Sequence, residues 1–307
     1  MENCLTNSAK QTAFVIEQKS DHMMGRFSAM ASPCELLMET QDPLLANYLT
    51  SLAYKETKRI EQKFSRYLPN NPMAKINHSM GQAVVIDAEI FRLLEFANSC
   101  FELSDGMFDI TSGVLRQAWK FDGSDNLPTP KAVQALMPYI GWQKVKYDQS
   151  SITLIKGMEL DFGGIGKEYA VDCVANMCTE YAPKTSVVVN FGGDIQVTRA
   201  RHNSQPWYIG IESPEDDDKN ATHTLKIVSG GLATSGDARR YLLKDGKRYS
   251  HILNPETGYP IENAARSVTV AAPHCIQAGL LATLALLKGP HADVFLEQQD
   301  VKFWCYR

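Results

Sequence analysis

Apolar residues recur at helical spacing in Leu45, Leu49, Leu52, Ile60 and Phe64, which predicts an amphipathic helix. Pro43 suits its first turn, and Asp42 stands before it as a cap. The turn-rich SRYLPNNP (residues 65–72) should end it. A second stripe, Ile90, Leu93, Leu94, Ala97 and Phe101, starts after Asp87. Residues 27–39, entered through HMMG, read as a strand with short-residue interruptions, and residues 145–155 as a hairpin. Met158, Leu160 and Phe162 alternate as a strand into Gly163-Gly164, with a helix following over about 167–181. Residues 186–190, 207–211, 225–228 and 268–271 supply further strands, and a final helix spans about 274–287 before Gly289-Pro290. Strands and helices mix without a regular βαβ beat. The expected class is α+β, with mixed sheets, packed helices and no readable linker.

Composition narrows the function. Hydrophobic residues make up 44% of the 307 and charged residues 21%, as in a folded enzyme-sized protein. A net charge of −4 argues against a nucleic-acid partner, which calls for a basic face. The acidic run EDDDK (residues 215–219) reads as a solvated loop. The first twenty residues show neither a basic segment nor an apolar core of a signal peptide, and no stretch reaches the ~18 apolar residues of a membrane span. Cys4 has no apolar stretch before it to support a lipid anchor. Seven scattered cysteines without CxxC spacing fit reduced thiols, so a cytoplasmic location is expected.

Four glycine-bearing segments carry the chemistry: LDFGGIGKEYAVD (160–172), VNFGGDI (189–195), ATSGDARRY (233–241) and SHILNPETGYP (250–260). Glycine turns at strand ends expose main-chain N–H groups where anions can sit. One such turn is weak evidence, but here Lys167, Asp194, Asp237, His251 and Asn254 repeatedly flank them. The set predicts one pocket for a large phosphate-containing ligand. GGIGKE lacks both the G-x-G-x-x-G spacing and the P-loop pattern, so neither common nucleotide fold is expected.

The order of these motifs resembles the ApbE family, the FAD:protein FMN transferases. Met24-Gly25 resembles the family's entry Met-Gly, and Ser65 with Tyr67 part of its S-x-Y segment. SDGMFDIT (104–111) resembles T-D-G-x-F-D-P-T, and DFGGIGKE resembles D-x-G-G-I-A-K-G, with Gly166 for alanine and Glu168 for glycine. N-x-G-G-D and T-S-G are intact, and SHILNPETGYP matches S-H-I-x-D-P-x-T-G-x-P with Asn254 for aspartate. The resemblance implies two intimately associated subdomains within residues 22–307, after an extension over 1–21. It implies transfer of FMN from FAD to a Thr or Ser hydroxyl of a target protein, with Mg²⁺ and release of AMP. Met24, Tyr67, Met107, Phe108, Asp109, Gly164, Lys167 and Leu253 would then bind FAD, and His251 would be the base.

For the metal, the family uses a carbonyl from the G-G-I-A-K turn with an Asp and a Thr one turn apart on the last helix. Here QAGLLATLA keeps Thr283, and Gly166 keeps its carbonyl, but Gly279 fills the aspartate position. Gln277, Asp237 or a target carboxylate are the candidate replacements, and Gly279→Asp is expected to tighten Mg²⁺. Hydrolysis of FAD to FMN and AMP, or flavin carriage without turnover, are the rival readings. His274-Cys275 has no second pair and reads as a helix start rather than a metal site.

Overall fold

The computed structural model describes residues 13–212, 221–237 and 240–307. Cys4 and the acidic run at 215–219 therefore lie outside the described residues. Strands β1 (Val15–Gln18), β2 (Met23–Ala29) and β3 (Ser32–Met38) open the chain. The pattern over 27–39 is thus a hairpin of two strands, not one. It reverses at Met30 and Ala31, both left-handed at φ 52° and 55°. Neither residue is glycine, so composition hides the turn; the Met30 N–H donates to Glu61 Oε1 at 2.5 Å and holds it.

Helix α1 (Pro43–Phe64) begins as expected, with the Asp42 side chain accepting from the Leu44 N–H. It buries Ala46, Leu49, Ala53, Ile60 and Phe64, and its buried Thr50 and Thr57 hydroxyls bond carbonyls one turn back. Helix α2 (Pro72–Asn77), strand β4 (Val84–Val85) and helix α3 (Ala88–Leu103) follow. A 3₁₀ segment, Ile110–Gln117, leads to α4 (Pro130–Leu136), β5 (Lys146–Tyr147) and β6 (Ser151–Thr153). The expected hairpin at 145–155 is the β5–β6 pair, and β4 joins it as a third strand.

The strand expected at Met158, Leu160 and Phe162 does not form, although all three side chains are buried. Its backbone is satisfied elsewhere. Leu160 exchanges hydrogen bonds of 2.8 and 3.0 Å with the Asn77 side chain, and the Asp161 N–H donates to the Ile110 carbonyl. Periodicity reads burial, not ladder partners.

Helix α5 (Gly166–Tyr181) leads to β7 (Val187–Phe191), β8 (Asp194–Val197), β9 (Trp207–Glu212), β10 (Ala221–Ile227) and β11 (Gly230–Gly236). Then come β12 (Tyr241–Lys244), β13 (Lys247–Ser250), β14 (Ser267–Ala272) and α6 (Cys275–Leu287). Helix α6 is not the last element: α7 (Ala292–Glu297) and edge strand β15 (Lys302–Tyr306) follow it.

The main sheet has eight strands in the order β1-β2-β3-β7-β8-β11-β14-β15, every neighbouring pair antiparallel. One face, with Leu36, Val189 and Phe191, packs on helices α1, α3, α5 and α6. On the other, Val188, Ile195, Val197 and Leu232 lie under the β9–β10 ribbon and its Trp207. A separate cluster of Val114, Leu115, Trp119, Val133 and Leu242 joins the 3₁₀ segment and α4 to the β12–β13 hairpin. No described helix is long and apolar enough to cross a membrane.

Candidate functional site

Three of the four glycine segments meet where α5 begins. Asp161 Oδ1 accepts from the Gly163 N–H at 2.9 Å, forming the turn that launches the helix. Residue Ile165 offers no side-chain cap to this 16-residue helix; the Gly166 N–H donates to the Phe162 carbonyl, and the N–H groups after it are the ones that can face an anion. The second segment is the β7–β8 turn, with Gly192 and Gly193 at φ 63° and 101°. A side chain at Gly192 would sit 2.2 Å from Ser32 Oγ, so only glycine fits against the neighbouring hairpin. From α5, Lys167 Nζ reaches Asp194 Oδ2 at 2.7 Å. The third segment lies on β11, where the Ser235 hydroxyl is 2.9 Å from Thr283 Oγ1 of α6.

Electrostatics here are dominated by burial. Asp194 is 2% exposed, and desolvation raises its pKa even against the Lys167 charge. Burial opposes the Lys167 ammonium, yet Asp194 pulls its pKa upward on balance. Glu168, 8% exposed, has its carboxyl pushed up to about 8 by burial and then by the Asp194 charge. Its Oε2 is buried without a hydrogen-bond partner among the described residues. Asp172, also on α5, accepts from the Cys275 and Ile276 N–H groups at 3.0 Å and so caps α6. Cys275 is buried, so His274-Cys275 is a helix start.

The fourth segment approaches from the smaller cluster. Its turn is built by Asn254, whose Oδ1 accepts from the Glu256 N–H at 2.8 Å. That role needs an acceptor and not a charge, so asparagine serves there as aspartate would. His251 follows β13, with Nδ1 at 3.2 Å from the Arg240 carbonyl. A carbonyl only accepts, so Nδ1 carries the proton and Nε2 keeps its lone pair. Burial, then Arg240, lowers the imidazole pKa to about 4. Asp237 accepts from Arg248 Nε at 3.0 Å and Arg266 Nε at 2.9 Å. Both its oxygens are thus held by arginines, which removes it as a replacement metal ligand.

The remaining expected site residues divide. Phe108 lies against Gly164, where a Cβ would be 3.3 Å from its ring. Tyr67 is 74% exposed, its hydroxyl accepting from Arg66 at 2.8 Å while Arg66 also pairs with Asp161 of the first glycine segment. Met107 packs against the main core. Asp109 is spent inside the protein: Oδ1 takes the Thr111 N–H and hydroxyl, and Oδ2 the Trp142 N–H. Leu253 packs into the Trp119 cluster. Met24 is not brought to the site. It pairs in register with Leu37, which faces the β9–β10 ribbon, on the side of the sheet away from the helices. The methionine at the site end is Met30, beside Ser32 in the turn that faces Gly192. A Met followed by a small residue occurs at both positions, and only the hairpin tells them apart.

A cavity of about 710 Å³ opens among Thr179, Lys184, Arg199 and Arg201, at the other end of α5. None of the glycine motifs line it. No group of three or more His, Cys, Asp or Glu arranged to hold a metal occurs among the described residues. A cation here must draw on carbonyls, hydroxyls and few carboxylates, as Mg²⁺ does beside phosphates.

Comparison with known proteins agrees with this geometry. The FAD:protein FMN transferase of Klebsiella pneumoniae (strain 342) is 29% identical over 273 residues, 86% of this chain and 83% of the relative. The crystal structure of the ApbE protein from Thermotoga maritima superposes with a TM-score of 0.83 at 26% identity, covering 95% of this chain and 94% of that one. The flavin transferase ApbE from Vibrio cholerae shares the fold at a TM-score of 0.79 and 24% identity, covering 95% and 94%. The ApbE family pattern itself matches residues 30–304, beginning at Met30 and not at Met24. A match of that extent, which spans the motifs that meet at the start of α5, makes this chain a member of the ApbE family.

Proposed function

We propose that this protein moves FMN from FAD onto a Thr or Ser hydroxyl of an acceptor protein, releasing AMP. The observation that carries the reading is the meeting of three glycine segments at the uncapped start of α5, next to Lys167. N–H groups and an ammonium there neutralise a pyrophosphate, and the planar rings find Phe108 and the exposed Tyr67. In the reaction the acceptor hydroxyl oxygen bonds the FMN phosphorus and the bond to AMP breaks. His251 Nε2 takes the hydroxyl proton. The orphaned Glu168 oxygen and the Ser235–Thr283 hydroxyl pair fit a hard cation, with the Gly166 carbonyl and Thr283 as holders. Bound Mg²⁺ would neutralise charge developing on the phosphates.

Incubation with FAD, Mg²⁺ and host lysate should give covalently flavinylated, fluorescent protein bands and stoichiometric AMP. Free FMN with AMP and no labelled band would instead assign hydrolysis. FAD bound and recovered unchanged would assign carriage without turnover. Tyr67→Ala should weaken FAD binding, read by flavin fluorescence quenching, because a ring contact is worth about 0.5–1.5 kcal/mol beyond its area. Equal affinity in the two proteins would remove Tyr67 from the site.

A further inference from the structure

We propose that Glu168 of α5 supplies the anionic oxygen for a divalent cation that α6 no longer provides, the carboxylate having moved from one helix to its neighbour. This rests on the transferase reading above. Three observations converge on it. A Cβ built at Gly279 would lie 2.7 Å from Glu168 Cγ and 2.8 Å from Oε1, so the Glu168 side chain fills the space that a residue on α6 would otherwise occupy. Glu168 is 8% exposed, and its Oε2 is buried with no hydrogen-bond partner among the described residues. An unpaired carboxylate oxygen in that state is costly unless a cation or proton meets it. Finally, Gly279 and Thr283 lie one turn apart on α6, so the carboxylate over Gly279 and the Thr283 hydroxyl share a helix face.

Two of the departures from the family pattern noted in the sequence, Glu168 and Gly279, are therefore one. Glycine and aspartate at positions 168 and 279 have become glutamate and glycine. The charge count stays constant, while the longer glutamate reaches across the gap that the glycine opens. Asp194 also belongs to this group of charges but is already committed to Lys167 at 2.7 Å. Of the two buried carboxylates, only Glu168 is free to take a metal.

The geometry also reverses the expectation for Gly279→Asp. With Glu168 in place, a side chain at 279 overlaps its carboxylate, and two anions would crowd one dry space. Gly279→Asp alone should lower Tm and leave Mg²⁺ binding no tighter.

The test uses the full chain, titrated calorimetrically with Mg²⁺ alone and, as a second probe, with Mn²⁺ followed by electron paramagnetic resonance. The wild type should bind one cation, and Glu168→Gln should weaken it roughly tenfold or more, since the charged ligand is lost at nearly constant shape. The exchange variant Glu168→Gly/Gly279→Asp should recover wild-type affinity to within about threefold, because the carboxylate returns from the other helix. Unchanged affinity in Glu168→Gln, or a wild type that binds neither cation, overturns the proposal. If Glu168→Gln fails to fold, the exchange variant decides: no cation binding there rejects the shared site. Failure of the transferase reading shows separately, as absent flavinylation by a wild type that still binds the cation.

Discussion

Replacement of His251 by alanine is expected to slow FMN transfer by about 10²–10⁴, the usual contribution of a positioned base, with FAD affinity nearly unchanged. The Arg240 carbonyl fixes the tautomer and leaves Nε2 as the acceptor. With its pKa lowered to about 4, the imidazole is neutral across the physiological range and needs no deprotonation step. That position predicts a pH profile. Transfer should hold its rate down to near pH 5 and fall as pH drops through about 4, where an unperturbed histidine would already fail near 6.5. The same shift has a stability sign. Between those two values the unfolded chain binds the proton and the folded one does not, so stability declines as pH falls through that window. Single-turnover rates with saturating FAD, measured from pH 4 to 8 for wild type and His251→Ala, check both. Transfer by the alanine variant at the wild-type rate would place the base elsewhere.

Lys167→Met should be the most destabilising single change at the site, by about 3–5 kcal/mol, because it leaves a buried carboxylate without its counter-charge. Asp194 is 2% exposed, and burial already raises its pKa with the ammonium present. Without Lys167 it rises further and folding retains a proton on it. Its folded pKa then lies above the unfolded value of 3.8, so the loss deepens as pH rises from about 4 upward. Urea unfolding at pH 5 and pH 8 should show the larger loss at pH 8, and Lys167→Met/Asp194→Asn should recover most of it. An equal loss at the two pH values would mean that packing of the lysine stem, not its charge, is what matters.

Much of the fold was legible where local chemistry decides it. Asp42 with Pro43, and Asp87 ahead of Ile90, mark helix starts that the structure keeps. Legibility failed where a distant partner decides. The segment at Met158–Phe162 alternates like a strand but bonds to Asn77 and Ile110, which no local pattern reveals. The Met30–Ala31 reversal uses left-handed residues that are not glycine, so the local pattern shows neither the break between β2 and β3 nor that Met30, and not Met24, stands at the turn. The glycine motif of the β7–β8 turn does fall where the backbone is left-handed, at Gly192 and Gly193, because that backbone requirement is written in the residue itself. The relation between Glu168 and Gly279 is different. It joins two helices far apart in sequence, and either residue alone looks like a loss.

Asp237 has a consequence beyond pairing charges. Arg248 comes from the hairpin that carries His251, and Arg266 from the chain entering β14 in the main sheet. One carboxylate thus bolts the arm bearing His251 to the body bearing the glycine turns, and it works as a gauge block between them. A reaction needing in-line approach tolerates little error, since a misplacement of about 1 Å costs on the order of a hundredfold in rate. Under the proposed role of His251, the reach from imidazole to phosphorus would be machined at Asp237, whose two oxygens are already held by arginines.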